Sequence, residues 1–257
     1  MPSRVLVMGL PGAGKTTLCE AVVKLLGDKV EYFNADIVRE KYNDWDFTPE
    51  GRQRQAKRMK KLADEAISNG KHAICDFVCP TPEYRRIFSP DVLVWVDTIN
   101  EGRFADTNLL FTPPTGYTLR VTEQNAEVWK YAVEAVVEPY HWNNKAPTVQ
   151  MLGRWQPWHD GHQALFEEAI AKTGQVLIMV RDVQGTDEKN PFDFYDVEER
   201  IVKKLRPVYN GRFRILLMPN ITNIVYGRDV GYKIEEIDLP DHIKEISATK
   251  IRQQMGI

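Results

Sequence analysis

The chain has 257 residues, of which 43% are apolar and 27% charged, with a formal net charge of −2. These values suit a protein that buries a core and argue against disorder. They supply no broad positive field for nucleic acid, so the expected partners are small nucleotides and phosphorylated metabolites met by individually aimed Arg and Lys side chains. Cys19, Cys75 and Cys79 are odd in number and lack a Cys-x-x-Cys pair or a fourth zinc ligand, which reads as buried thiols in a reducing compartment. No apolar run approaches the roughly 20 residues of a membrane span. The glycine-rich loop begins by Gly9, which leaves no room for a charged leader, and a cytoplasmic protein without a membrane partner is expected. Nothing in the composition indicates an oligomeric state.

In chain order, the apolar run Arg4-Val5-Leu6-Val7-Met8 ends in glycines and is followed by helical spacing from Thr16 to Leu26. Strand, loop and helix are predicted there. Glu31 to Asn34 reads as a second strand, Pro49 to Asn69 as a long basic helix, Ala73 to Val78 as a third strand and Val92 to Val96 as a fourth. In a helix starting near Gln124, the residues Ala126, Trp129, Ala132, Val133, Val136 and Val137 share one face. The stretch Glu138 to Pro147 holds two prolines and two asparagines without periodicity and reads as a linker. Beyond it come a strand from Thr148 to Leu152, a helix from Gln163 to Ala171, a strand from Val176 to Val180, a helix from Val197 to Leu205 and a strand from Phe213 to Met218. Alternating strands and helices predict an α/β fold of two doubly wound parallel-sheet domains, residues 1–140 and 147–257.

The first loop reads Gly9-Leu10-Pro11-Gly12-Ala13-Gly14-Lys15-Thr16, with Thr17 next. The form Gly-x-x-x-x-Gly-Lys-Thr turns backbone N–H groups toward nucleotide phosphates. Gly12 and Gly14 permit close approach, Lys15 neutralises the outer phosphates and the Thr16 hydroxyl takes magnesium. This predicts ATP as nucleotide, Mg²⁺ as cofactor and transfer of the terminal phosphoryl group.

The surrounding residues are Asn34-Ala35-Asp36-Ile37-Val38-Arg39, then Phe47-Thr48-Pro49-Glu50-Gly51-Arg52, then Phe77-Val78-Cys79-Pro80 with Arg85. Over about the first hundred residues they resemble adenylylsulfate kinases. The resemblance implies a P-loop kinase fold, with Asp36 assisting the acceptor hydroxyl or the magnesium. It also implies that Arg39, Arg52, Arg58 and Arg85 hold an anionic acceptor, while Phe47 or Phe77 stacks on its base. For Arg54 and Arg58 a solvated helix face is an equal alternative. Asp76, at a strand end, is a second candidate magnesium ligand or a structural aspartate. Where the family reads Asp-Gly-Asp-Asn this chain has Asn34-Ala35-Asp36-Ile37, where it has Asp before the matching arginine this chain has Gly51, and its Gly-Leu-Tyr lid segment is replaced by Arg103 to Pro114.

The second constellation is Gly153-Arg154-Trp155-Gln156-Pro157-Trp158-His159-Asp160-Gly161-His162, between a strand and a helix. Two histidines three apart at a helix N-terminus, with its unbonded N–H groups, form a set of donors for a triphosphate. Gly161 would let the nucleotide lie against the backbone. A zinc pair is the rival reading, although zinc helices usually space histidines by four and add an acid. With Asn190-Pro191-Phe192, Glu199-Arg200-Ile201 and Ile246-Ser247-Ala248-Thr249-Lys250-Ile251-Arg252, this half resembles nicotinamide mononucleotide adenylyltransferases of the archaeal type and, more loosely, small cytidylyltransferases. The resemblance implies a Rossmann-like nucleotidyltransferase fold. It makes His159 and His162 the donors to the reacting phosphates of ATP or CTP, and Arg154, Ser247, Thr249 and Arg252 the holders of the outer ones. Tyr226-Gly227-Arg228-Asp229 lines the base pocket or is an ordinary turn.

A kinase makes a phosphomonoester and a nucleotidyltransferase consumes one, so a bifunctional, multifunctional transferase is expected. Two alternatives stand beside it. One is sulfate activation, with the second half acting as an ATP sulfurylase; the other is a nucleotide sensor without turnover.

Overall fold

A computed structural model of the chain describes residues 1–225, 227–228 and 231–256. The chain divides into two compact units, Met1–Pro139 and Tyr140–Ile257.

The first unit runs β1 (Arg4–Met8), α1 (Lys15–Leu26), β2 (Val30–Asn34), α2 (Ala35–Lys41), α3 (Pro49–Ser68), β3 (His72–Asp76), α4 (Pro82–Phe88), β4 (Val92–Val96), α5 (Ala105–Leu110), β5 (Leu119–Val121) and α6 (Ala126–Val137). Its five strands are parallel in the order β2-β3-β1-β4-β5. The chain starts in the middle of the sheet, winds to one edge, then crosses to the other, so helices cover both faces. That explains why β1 is apolar throughout: Val5 and Val7 pack with Leu18, Val22 and Val133 on one side, and Leu6 and Met8 pack with Met59, Ala63 and Phe88 on the other. Side-chain caps set the helix starts. Thr48 accepts from the Gly51 N–H ahead of α3, with Pro49 in the first turn, and Thr81 with Pro82 repeats the device at α4. Strand β5 is only three residues long, and its register with β4 is invisible in a local apolar count.

The second unit runs β6 (Val149–Gly153), α7 (Asp160–Thr173), β7 (Val176–Arg181), α8 (Phe194–Tyr209), β8 (Phe213–Met218), α9 (Asp241–Lys244) and α10 (Ala248–Met255). Its parallel sheet has the order β6-β7-β8, which corrects the expectation of double winding here. Strands added always on the same side carry both crossover helices to the same face. Phe166 of α7 accordingly meets Tyr209 of α8 and Phe213 of β8. The opposite face leaves Leu152 and Leu216 exposed. The individual strands were legible as apolar runs, but their spatial order was not.

The linker expectation is also corrected. From Tyr140 onward the stretch belongs to the second unit, because the fully buried Gln175 gathers it. The Gln175 Oε1 atom accepts from the Tyr140 hydroxyl at 3.0 Å and the Asn143 N–H at 3.2 Å. Its amide donates to the Asn143 carbonyl at 2.8 Å and to the Thr148 hydroxyl. A buried glutamine with its polar atoms engaged holds the chain firmly. All three cysteines are buried and free. Among the described residues no helix is long and apolar enough to cross a membrane.

Candidate functional site

In the first unit the phosphate loop leaves β1 at the point where the winding reverses, the position at which open parallel sheets present ligands. Gly9 is required by proximity: a Cβ there would stand 2.2 Å from the Val96 carbonyl oxygen of β4. Gly14 caps α1 from the left-handed region at φ +93°, which favours glycine. Lys15 is buried and donates to the Leu10 carbonyl at 3.0 Å. Burial lowers its pKa, opposed first by the charge of Asp76.

Asp76 is the centre of this site. It ends β3 nearly buried, and its Oδ2 accepts from the Thr16 hydroxyl at 2.6 Å, the Tyr32 hydroxyl at 3.2 Å and the Asn34 amide at 2.9 Å. Burial raises its pKa, and the Thr16 hydrogen bond and Lys15 oppose that rise. The Thr16 hydroxyl and the Asp76 carboxylate form an all-oxygen donor pair beside the phosphate loop, the chemistry a magnesium ion accepts. Asp36, by contrast, is exposed in the first turn of α2, and Asn34 caps that turn. Thr17 and Gly14 line a neighbouring cavity of about 140 Å³ with Leu18, Val121 and Trp129. Arg103 was not singled out in the sequence; it lies beside the loop, close to Gly12, and its charge acts to lower the Lys15 pKa.

The acceptor-side arginines fall into three groups. Arg39 and Arg52 flank the exposed Phe47 ring, at 4.6 and 5.5 Å from its centroid, a cation–π cluster on the surface. Arg39 is otherwise buried, donating to the carbonyls of Asp44 and Asp46, and Arg52 donates to the Phe47 carbonyl. Arg54 and Arg58 pair with Asp44, and Arg54 also with Asp46, so the carboxyl of Asp44 is held well below its ordinary pKa. Phe77 and Arg85 lie inside: Phe77 sits edge-on to Phe88, and Arg85 donates to the Thr112 carbonyl at 2.8 Å. Gly51, where the resembling family has aspartate, has a steric cause here. A Cβ at this position would meet the Asp46 carbonyl oxygen at 2.3 Å.

In the second unit His159 caps α7, its Nδ1 accepting the His162 N–H at 3.4 Å. That acceptor role leaves the neutral ring its proton on Nε2. The two imidazoles stack at 3.6 Å and 21°. Burial lowers both pKa values; that of His162 drops to about 3, mainly through burial and then through the charge of His159. The Nδ1 of His162 is buried and has no hydrogen-bond partner among the described residues. Trp155, at φ +54°, presents its ring edge-on to His162 at 4.8 Å and donates to the Met179 carbonyl. The backbone there is strained, a feature that clusters at working sites. What a Cβ at Gly161 would meet is the His159 ring, at 3.0 Å, so this glycine makes room for the stack.

Segments far apart in sequence converge on this loop. Gln156 is buried and pairs with the Phe192 backbone in both directions, donating at 2.8 Å and accepting at 3.0 Å. Its own carbonyl accepts from Arg252 at 2.7 Å, and Arg252 also reaches the Thr249 hydroxyl. Arg154 donates to Asn190 at 3.2 Å, and Arg200 stacks on Phe192 at 4.0 Å. Ser247 caps α10 through the Lys250 N–H. Gln156 was missed because nothing local distinguishes it; its partners lie 36 and 96 residues away. Tyr226 and Asp229 of the suggested base-pocket turn lie outside the described residues. Among the described residues no three His, Cys, Asp or Glu side chains gather as a metal cage.

Residues 1–92 match the family model for adenylylsulphate kinase. A probable adenylyl-sulfate kinase from Aeropyrum pernix is 37% identical over 87 residues, covering 32% of this chain and 48% of that protein. The chain thus spans about half the length of the curated relative it matches. Among solved structures, a mutant of the Mycobacterium tuberculosis APS kinase aligns with a TM-score of 0.45 and 21% identity, over 53% of this chain and 98% of that one. A sugar kinase from Janibacter aligns with a TM-score of 0.43 and 19% identity, over 54% and 97%. Residues 1–92 are thus similar to adenylylsulphate kinases in sequence.

Proposed function

We propose that the chain is a bifunctional transferase in which the first unit moves the γ-phosphoryl group of ATP to a small hydroxyl-bearing or nucleotide acceptor, and the second moves an adenylyl or cytidylyl group to a phosphate. In the first reaction the acceptor hydroxyl oxygen attacks the γ-phosphorus, the β–γ bridging P–O bond breaks and ADP leaves. The hydroxyl proton passes to Asp36. Lys15 and the loop N–H groups hold the transferring charge. Magnesium, held by Thr16 and Asp76, would offset the phosphate charge. Arg39, Arg52, whose only carboxylate partner among the described residues is the exposed Asp106 at 3.4 Å, and the exposed Phe47 would offer an anionic acceptor two cations and a stacking ring, whereas Phe77 and Arg85 serve as scaffold behind them.

In the second reaction an acceptor phosphate oxygen attacks the α-phosphorus, the α–β bridging bond breaks and pyrophosphate leaves. No covalent enzyme intermediate is needed, so positioning and charge stabilisation carry the rate. The observation that supports this reading best is the neutral imidazole stack at the start of α7, where His159 uses its Nδ1 on the His162 N–H and so offers its Nε2–H to a ligand beside the first-turn N–H groups. Neutral His159, with its proton on Nε2, is a donor at physiological pH. The nucleotide sensor is less economical, since a sensor need not keep Lys15, Thr16, His159, His162, Thr249 and Arg252 together.

The family match favours a second reading of the acceptor, adenylyl sulfate in the first unit, with sulfate replacing the acceptor phosphate in the second. A screen of ADP formation and of pyrophosphate release, run with ATP and CTP against phosphorylated acceptors, sulfate and adenylyl sulfate, separates these readings. Pyrophosphate release that requires a phosphomonoester supports the proposal. Release with sulfate alone supports sulfate activation, and no turnover in any arm supports the sensor.

A further inference from the structure

We infer that Arg181, together with Arg154, which the resemblance assigns instead to the outer phosphates of the nucleotide, forms the subsite for the acceptor's phosphate group, an assignment that rests on the nucleotidyl-transfer reading of the second unit. The two arginines occupy equivalent places on neighbouring strands: Gly153 of β6 is in register with Val180 of β7, and Arg154 and Arg181 follow directly. Both line a cavity of about 160 Å³ completed by Asp182, Gln184, Asn190 and Asn220. The cavity lies at the carboxyl ends of all three parallel strands, since Arg181 pairs with Met218 of β8 and Asn220 follows two residues later. That edge is where parallel sheets bind ligands.

The cavity carries a positive excess, two guanidiniums against the single carboxylate of Asp182. Neither guanidinium has a carboxylate partner among the described residues. Among the described residues Arg154 donates only to the neutral Asn190 amide oxygen, and the exposed Arg181 side chain makes no hydrogen bond. The one carboxylate present, Asp182, accepts from the Gln184 N–H at 2.8 Å. That excess favours a dianionic phosphate, which can accept hydrogen bonds from both guanidinium forks. The cavity is smaller than the ~300 Å³ lower bound for whole small-molecule pockets, so it fits a phosphate headgroup rather than a nucleotide. His159 lines a different cavity, with Arg200 and Lys203 of α8. An in-line displacement needs two separate phosphate positions, one for the nucleotide and one for the attacking group, and the two cavities supply them.

The test uses the full chain labelled with ¹⁵N-arginine and titrated with ribose 5-phosphate, with ribose as the uncharged counterpart. The Nε–Hε signals of Arg154 and Arg181 should shift together with the phosphate compound and stay still with ribose. Arg181→Gln should raise the dissociation constant read at Arg154 at least tenfold, and Arg181→Lys less, while ATP affinity read at Arg252 changes under twofold. Because the side chain is exposed and unpaired, the melting temperature should not move. Silent Arg154 and Arg181 signals, or equal weakening of ATP and ribose 5-phosphate by Arg181→Gln, overturn the assignment. Pyrophosphate release in the same variants separates the two layers. If release occurs and Arg181→Gln leaves the acceptor KM unchanged, the subsite is wrong and the reaction stands. If both arginines bind phosphate but no pair of nucleotide and phosphorylated acceptor releases pyrophosphate, the reaction is wrong.

Discussion

Replacing Gln156 with leucine keeps most of the side-chain volume and removes both bonds to Phe192. The Phe192 N–H and carbonyl sit in a buried position, and each buried polar group left unpaired costs about 1–3 kcal/mol. The sum is about 2–6 kcal/mol, and movement of the loop around residue 190 toward water brings the expected loss to about 3 kcal/mol. Against a typical domain stability of about 5–15 kcal/mol the unit still folds. Arg252 bonds to the Gln156 backbone carbonyl, so it is disturbed only by displacement of the loop. The variant should therefore lose stability and also lose nucleotidyl transfer by more than about tenfold, one decade corresponding to about 1.4 kcal/mol. Guanidinium unfolding of residues 140–257, followed by the fluorescence of Trp142, Trp155 and Trp158, measures the first effect; pyrophosphate release by the full chain measures the second. A loss below about 1 kcal/mol with unchanged turnover would show that the Gln156–Phe192 pairing is incidental.

Fragments 1–139 and 140–257 should both be soluble. A cut at 146/147 should lower the melting temperature of the second fragment, because Gln175 then loses Tyr140 and Asn143; equal melting temperatures for the two cuts would refute its anchoring role. Asp76→Asn should reduce phosphoryl transfer by about 10²–10³ and raise the magnesium requirement more than Asp36→Asn does, and the reverse order would return the metal to Asp36. The depressed His162 pKa means that the unfolded state binds more protons between about pH 3 and the ordinary value of 6.5. Stability of residues 140–257 should therefore be full above pH 6.5 and fall by about 2 kcal/mol by pH 5. His162→Gln should flatten that slope in unfolding measured across the range, and an unchanged slope would contradict the burial argument.

The phosphate loop and the histidine motif were readable because their chemistry is local: glycines, a lysine and paired histidines at fixed short spacings. What escaped reading depends on distant partners. Gln156 and Gln175 take their places from loops that no periodicity marks, and Asp76, readable as a magnesium ligand or a structural aspartate, meets Thr16 across 60 residues only in the folded sheet. In sequence Arg58 is open between anion holder and solvated helix face, and Arg54 reads no better than a solvated face; both instead pair with Asp44, and Arg54 also with Asp46, carboxylates brought close only when the 43–48 loop folds onto Gly51. Strands β6, β7 and β8 were each legible, while their one-way order, and with it the open face carrying Leu152 and Leu216, is a property of the assembled sheet.

The central claim is that one chain cleaves two different bonds of a nucleoside triphosphate at two independent sites. ATP labelled at either the α- or the γ-phosphorus, supplied with a turnover-competent acceptor for each unit, reports both fates in a single reaction. Lys15→Ala should abolish γ-phosphoryl transfer and leave α-label transfer within about twofold, while His162→Ala should do the reverse, slowing α-label transfer by about 10²–10³. Loss of both labels' transfer in either well-folded variant, or α-label transfer untouched by His162→Ala, would contradict the account.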